Sequence, residues 1–167
     1  MNQLLRVIRL ALLICVACTV SSSTQAVAKN VAPPNWKVAA VGTSTLADLD
    51  LVNGTRTDID AFRGNSSHLG KFAATGYHVL DLITGEFTGA ATYTAANGDT
   101  INITFDGQLF PSGDARFPYG VVANVEIHGG TGRFAHATGG GELTGGFTGE
   151  VPVGGFFFGI EGTLSKK

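Results

Sequence analysis

From residue 47 to residue 164 the chain alternates apolar and polar positions with a period of two, the signature of strands with one buried face. Ala47, Leu49 and Leu51 alternate with Asp48, Asp50 and Val52. Asn53-Gly54 follows as a hairpin turn signal. Thr57, Ile59 and Ala61 then alternate with Arg56, Asp58 and Asp60. A loop over Gly64–Gly70 precedes a long strand over Lys71–Ile83, and Thr84-Gly85 turns the chain back. Phe87, Gly89, Ala91 and Tyr93 share one face of the next strand, and Asn97-Gly98 makes a second hairpin turn. Ile101, Ile103 and Phe105 continue the pattern, as do Val121, Ala123, Val125 and Ile127 beyond a loop at Pro111–Pro118. Leu143 and Phe147 mark a glycine-rich strand, and Phe156, Phe158, Ile160 and Leu164 mark a closing one.

About eight short strands joined by tight turns predict an antiparallel meander. An open meander of that length leaves two unpaired edges, which closure into a barrel removes. The expected fold is therefore all-β, an eight-stranded antiparallel β-barrel. A β-sandwich is the other architecture the pattern allows. Beyond Trp36, glycine interrupts each window long enough for a helix.

The first residues read differently. Arg6 and Arg9 precede an apolar run over Leu10–Val20, too short to cross a bilayer, and Ala26-Val27-Ala28 has the small-x-small pattern of a cleavage site. Residues 1–28 are expected to be an export signal cut near Ala28, giving a secreted or periplasmic protein without a stable membrane span. Residues 29–42, with Pro33-Pro34, are expected as a lead-in, and 43–167 as one barrel domain. Cys15 and Cys18 lie inside the signal, so their C-x-x-C spacing is not read as redox or metal chemistry. Lipid anchoring at Cys18 is the alternative that Val16-Ala17-Cys18 suggests, against Cys15, which stands where that pattern has Leu. Cleavage would remove two arginines and no acid, moving the formal net charge from -2 to -4.

Composition narrows the function classes. Charged residues are 14% of the chain and form no basic block, which argues against nucleic acid as a partner. Hydrophobic residues are 44%, enough to fold around despite 24 glycines. Gly130-Thr131-Gly132-Arg133-Phe134-Ala135 fits the dinucleotide pattern G-x-G-x-x-A, but AHATGGGELTGG after it cannot supply the helix that would hold a pyrophosphate. No nucleotide or other cofactor is expected. His68, His78, His128 and His136 show no metal-binding spacing, so no metal is expected either. By alternation Asp48, Asp50, Asp58, Asp60, Asp106, Glu126 and Glu161 fall opposite the apolar face, leaving no carboxylate pair for a hydrolase.

His78 stands apart. It shares a strand face with Phe72, Ala74, Gly76, Leu80 and Leu82, so it is expected to point inward. Phe87, Tyr93, Phe105, Phe147, Phe156 and Phe158 fall on inward positions too, and Gly89 and Gly107 remove bulk beside them. Such rings either fill the core or line an apolar pocket. If they line one, His78, Phe87, Tyr93, Phe105 and Phe158 are the expected ligand-binding residues, with His78 and Tyr93 as the polar contacts. Phe157 is expected outside, flanked by Gly155 and Gly159, where it would serve a homo-oligomer contact.

Over Tyr119–Gly141 the chain reads YGVVANVEIHGGTGRFAHATGGG. A strand ending in Gly129-Gly130-Thr131-Gly132-Arg133-Phe134, with Ala137-Thr138-Gly139 close behind, resembles the dirigent and allene oxide cyclase superfamily. Thr92–Thr100, TYTAANGDT, is similar to a turn of small secreted bacterial proteins with that barrel. The resemblance is specific over roughly 25 residues and pattern-level over Thr43–Leu164. It implies an eight-stranded barrel, often oligomeric, with an apolar cavity. In the plant enzymes that cavity steers cyclisation or coupling of a reactive hydrophobic intermediate. Their catalytic acids match no positions here, so no catalytic residue is carried over.

Three functions remain open at this point. One is a secreted barrel that binds a hydrophobic small molecule. Another is a cofactor-free cyclase or isomerase of the allene oxide cyclase or dirigent type. The third is a non-catalytic interaction module with a filled interior.

Overall fold

In the computed structural model, which describes residues 35–166, eight antiparallel strands close into one barrel in the order of the sequence. They are β1 (Trp36–Asp50), β2 (Thr55–Ser66), β3 (Gly70–Asp81), β4 (Glu86–Ala95), β5 (Thr100–Pro111), β6 (Tyr119–Gly130), β7 (Thr138–Phe147) and β8 (Val153–Ser165). The β1–β8 ladder, from Trp36 opposite Gly162 to Thr45 opposite Val153, closes the cylinder. No strand edge is left unpaired by this arrangement. The expected export signal with Cys15 and Cys18, and the Pro33-Pro34 stretch, lie outside the described residues.

Strand parity matches expectation in β3 to β8. Ala74, Leu80, Phe87, Ala91, Tyr93, Ile101, Ile103, Ala123, Val125, Ile127, Leu143, Phe147, Phe158, Ile160 and Leu164 are buried. Phe62 is their junction: its ring packs edge-on against Tyr93 and Phe158, each at 5.3 Å between centroids. One end of the barrel is sealed by apolar side chains. Trp36 and Phe134 are fully buried there, near Leu69 and Leu164, and the Trp36 indole donates to Ser66 Oγ at 3.2 Å. Burying side chains of this size stabilises by roughly 1.5–3 kcal/mol each.

Two parts of the expected pattern are corrected. β1 begins at Trp36, inside the stretch expected as a lead-in, and runs inward through Val38, Ala40 and Ser44. Its register shifts between Leu46 and Asp48, so Ala47 and Leu49 do not form a core face; Leu49 is exposed, and Leu51 in the turn is 75% exposed. In β2 the faces are exchanged. Arg56, Asp58, Asp60 and Phe62 are buried, whereas Ile59 is half exposed. The physical reason is that the charges compensate one another inside the barrel, so polarity and burial are not opposed in this strand.

The Gly129–Phe134 segment is a tight turn. Gly129 and Gly132 have φ of 79° and 56°, where glycine alone is comfortable. Gly130 has ordinary φ, but a Cβ there would run into the Thr100 carbonyl across the ladder. The chain then makes a single 3-10 turn at Gly132–Phe134 and enters β7, as expected from the absence of helix-forming sequence.

Candidate functional site

Period-two alternation carries Arg56, Asp58 and Asp60 to the same face of β2, and the β2–β3 register sets His78 opposite Asp58. These four side chains form a charged cluster inside an otherwise apolar barrel. Asp58 is fully buried, and Arg56 and Asp60 nearly so. Arg56 Nη2 donates to Asp58 Oδ1 at 2.7 Å. Arg56 Nε also lies 2.7 Å from Asp58 Oδ2, but its N–H is not aimed at that oxygen, so the second approach is an ion contact without a hydrogen bond. The guanidinium sits over the Phe147 ring at 5.7 Å. Buried charges are tolerated when paired in this way.

His78 lies between the two carboxylates. Its Nδ1 is 2.9 Å from Asp60 Oδ2, and its Nε2 is 3.5 Å from Asp58 Oδ2. Its side chain is 16% exposed, and its ring meets Phe87 edge-on at 6.2 Å. Asp60 Oδ1 is buried with no hydrogen-bond partner among the described residues.

Two members of the cluster, Asp60 and His78, lie on the wall of a pocket in the barrel interior. Asp60, His78, Phe87, Tyr93, Phe105 and Phe158 line it, together with Phe62, Ile103, Leu109 and Leu143. The space open to the centre of a water-sized sphere is about 90 Å³. One water needs roughly 10–15 Å³ on that measure, so there is room for several waters or one small solute.

The structure thus brings the five residues singled out from the sequence, His78, Phe87, Tyr93, Phe105 and Phe158, to one cavity. Tyr93 is buried, and desolvation pushes its phenol well above the usual range. The bulk missing at Gly89 does not become open space, because the Phe105 ring covers it: a Cβ there would come 2.5 Å from Phe105 Cζ. Phe157 does lie on the outer face, half exposed and edge-on to Phe117 at 4.8 Å.

Sequence reasoning missed Arg56, Asp58 and Asp60, having placed the two acids outside. An inner carboxylate pair exists after all. It does not flank a cleft, since Arg56 holds Asp58 and, of the two, Asp60 alone lines the cavity. A signal was present: one positive and two negative charges recur at every second residue, with His at a strand position that can face them. The other histidines stay away from the site. His128 Nε2 is 2.7 Å from Thr104 Oγ1 on the outer face, and His68 and His136 lie in turns. Among the described residues no three His, Cys, Asp or Glu side chains are arranged to hold a metal ion.

No protein-family model and no curated protein matches the chain. Among solved structures it is similar to a Clostridium acetobutylicum ATCC 824 protein of unknown function, with 9% sequence identity and a TM-score of 0.42. That likeness covers 77% of this chain and 96% of the other, and at this level it carries no argument about function.

Proposed function

We propose that the barrel takes one small apolar molecule into its interior, held by aromatic side chains and oriented by the His78–Asp60 wall. The observation that supports this reading is the composition of the cavity: rings and aliphatic chains on most sides, polar groups gathered on one. Small-molecule sites commonly combine an apolar lining with a few placed polar groups. Burial of apolar area at about 25 cal/mol per Å² would supply most of the affinity. Native mass spectrometry of the barrel titrated with a compact aromatic solute such as indole tests it. A saturable one-to-one adduct is expected. The bare mass at every concentration would overturn the reading and favour the interaction module.

A cofactor-free cyclase or isomerase is the second reading. What favours it is that Asp60 orients the His78 imidazole beside the cavity, as a general acid or base requires. The resemblance to allene oxide cyclases and dirigent proteins points the same way. Its test is turnover of a reactive apolar intermediate. Product formed with the same rate and stereochemistry with and without the protein would end it.

We further propose that the chain is exported and cut after Ala28. The exported protein should begin at Lys29, and an unprocessed N-terminus in the exported fraction would contradict this. The half-exposed Phe157 supports a homo-oligomer contact, testable by sedimentation of Phe157→Ser against the unaltered protein.

A further inference from the structure

Tyr93 is a polar residue in an apolar row of the interior. Across the β3–β4 ladder it stands opposite Ala74, whose own partner in β2 is Phe62. Across the β4–β5 ladder it stands opposite Ile101. Its ring packs edge-on against Phe62 at 5.3 Å and tilted against Phe72 at 4.8 Å. Phenylalanine would fill the same space. The hydroxyl therefore calls for a reason of its own, since a buried donor without an acceptor is costly.

Among the described residues nothing accepts from that hydroxyl, and desolvation alone acts on it. It is nevertheless not sealed off. The unpartnered polar atoms without open surface are Ser44 Oγ, Arg56 Nε, Asp58 Oδ2, Asp60 Oδ1 and His68 Nε2, and Tyr93 Oη is not one of them. Tyr93 lines the cavity, and the 1% of surface it keeps opens there. Asp60 and His78, the other polar residues of the lining, are engaged with each other at 2.9 Å. Burial keeps the phenol protonated, so it offers one O–H donor among apolar neighbours. A water held there needs two or more polar partners, and the row of Phe62, Ala74 and Ile101 provides none. A charged head would have to leave bulk water for the same apolar surroundings. An alcohol accepting from Tyr93 would leave its own proton without an acceptor. A carbonyl oxygen accepts and brings no proton.

Resting on the ligand-binding reading, we infer that the cavity selects small neutral carbonyl compounds, with the apolar body among the rings and the carbonyl oxygen accepting from Tyr93 Oη. Tyr93 is then a second point of orientation, apart from the His78–Asp60 wall. No bond is made or broken in this step. Burial of the body supplies the affinity, and the phenol selects the functional group.

Two probes that share a ring and differ in the carbonyl, acetophenone and ethylbenzene, test this. In isothermal titration calorimetry Tyr93→Phe should weaken acetophenone by about tenfold and move ethylbenzene by less than about threefold. Acetophenone labelled with carbon-13 at its carbonyl supplies a readout on the unaltered barrel. Bound, its signal is expected downfield of its position in cyclohexane, as a hydrogen-bonded carbonyl requires. A bound signal at the cyclohexane position, or equal changes for the two probes in Tyr93→Phe, overturns the carbonyl assignment while the apolar-ligand reading stands. If neither probe binds the unaltered barrel, both fall. The carbonyl signal needs no variant, so it decides the matter even if Tyr93→Phe does not fold.

Discussion

Asp60 and His78 meet diagonally across the β2–β3 ladder, with Nδ1 2.9 Å from Oδ2, although the residue opposite His78 is Asp58 and the residue opposite Asp60 is Gly76. Gly76 brings no side chain of its own beside Asp60, a Cβ there being barred by the Ala90 carbonyl and Ala91 of β4, and the His78 imidazole reaches the second carboxylate from two residues along. One histidine thereby touches two acids, and the interior gains a single polar wall while the rest of it stays apolar.

That wall should be a stability element as well as a site. Arg56→Ala removes the partner of a fully buried Asp58 and is expected to cost about 3–5 kcal/mol in urea denaturation. Lys37→Ala breaks the exposed pair with Glu161 and should cost no more than about 1 kcal/mol. Comparable small losses from both variants would show that the inner cluster is not a compensated ion network.

The turn after β6 is equally specific. Gly132→Val forces a branched residue into positive φ, and Gly130→Val drives a Cβ into the Thr100 carbonyl. Each should lower stability by more than about 1 kcal/mol. Unchanged melting temperatures for both would mean the turn is built otherwise.

Acid should act on the turns. Asp81 accepts from the Thr84 and Ile83 amides at 2.9 and 2.7 Å, and these bonds hold its carboxyl below the usual range. Asp50 is held low chiefly by Asn53 in the β1–β2 turn. A depressed folded-state value gives stability that is present above the unfolded pKa, about 3.9, and lost as pH falls through the folded one. The melting-temperature difference between the unaltered protein and Asp81→Ala should therefore be greatest near neutrality and shrink toward about pH 2. A difference that does not change with pH would remove the charge from the explanation.

Alkali should act through Tyr93. Its phenol is raised by burial, so the folded state keeps a proton that the unfolded chain gives up near pH 10. Stability from this group is complete below about pH 10 and is lost as pH climbs toward the folded value. Tyr93→Phe should flatten the alkaline limb of a plot of stability against pH. An identical limb in both proteins would place the alkaline transition elsewhere.

Much of this barrel could be read from alternation alone, because β3 to β8 place apolar side chains inward and polar ones outward, as the two solvents demand. The aromatic lining and the inward aim of His78 were legible for the same reason. β2 was not, because hydropathy counts Asp58 and Asp60 as surface residues and takes no account of Arg56 two positions away. β1 misled for another reason: Leu49 and Leu51 are apolar yet exposed beside the bulge and the turn, whereas the buried face runs through Trp36, Val38, Ala40 and Ser44. Gly89 shows a third limit. A small residue on an inner face reads as space, but the neighbouring Phe105 ring occupies it.

The central claim, that the interior receives a small molecule, is tested most directly by intermolecular nuclear Overhauser effects between a bound phenyl probe such as acetophenone and assigned side chains. Contacts from the probe ring to Phe87, Phe105 and Phe158, together with a shifted His78 ring signal, are the predicted result. Contacts confined to outward residues such as Tyr77 and Val41, or none at saturating probe, would contradict it.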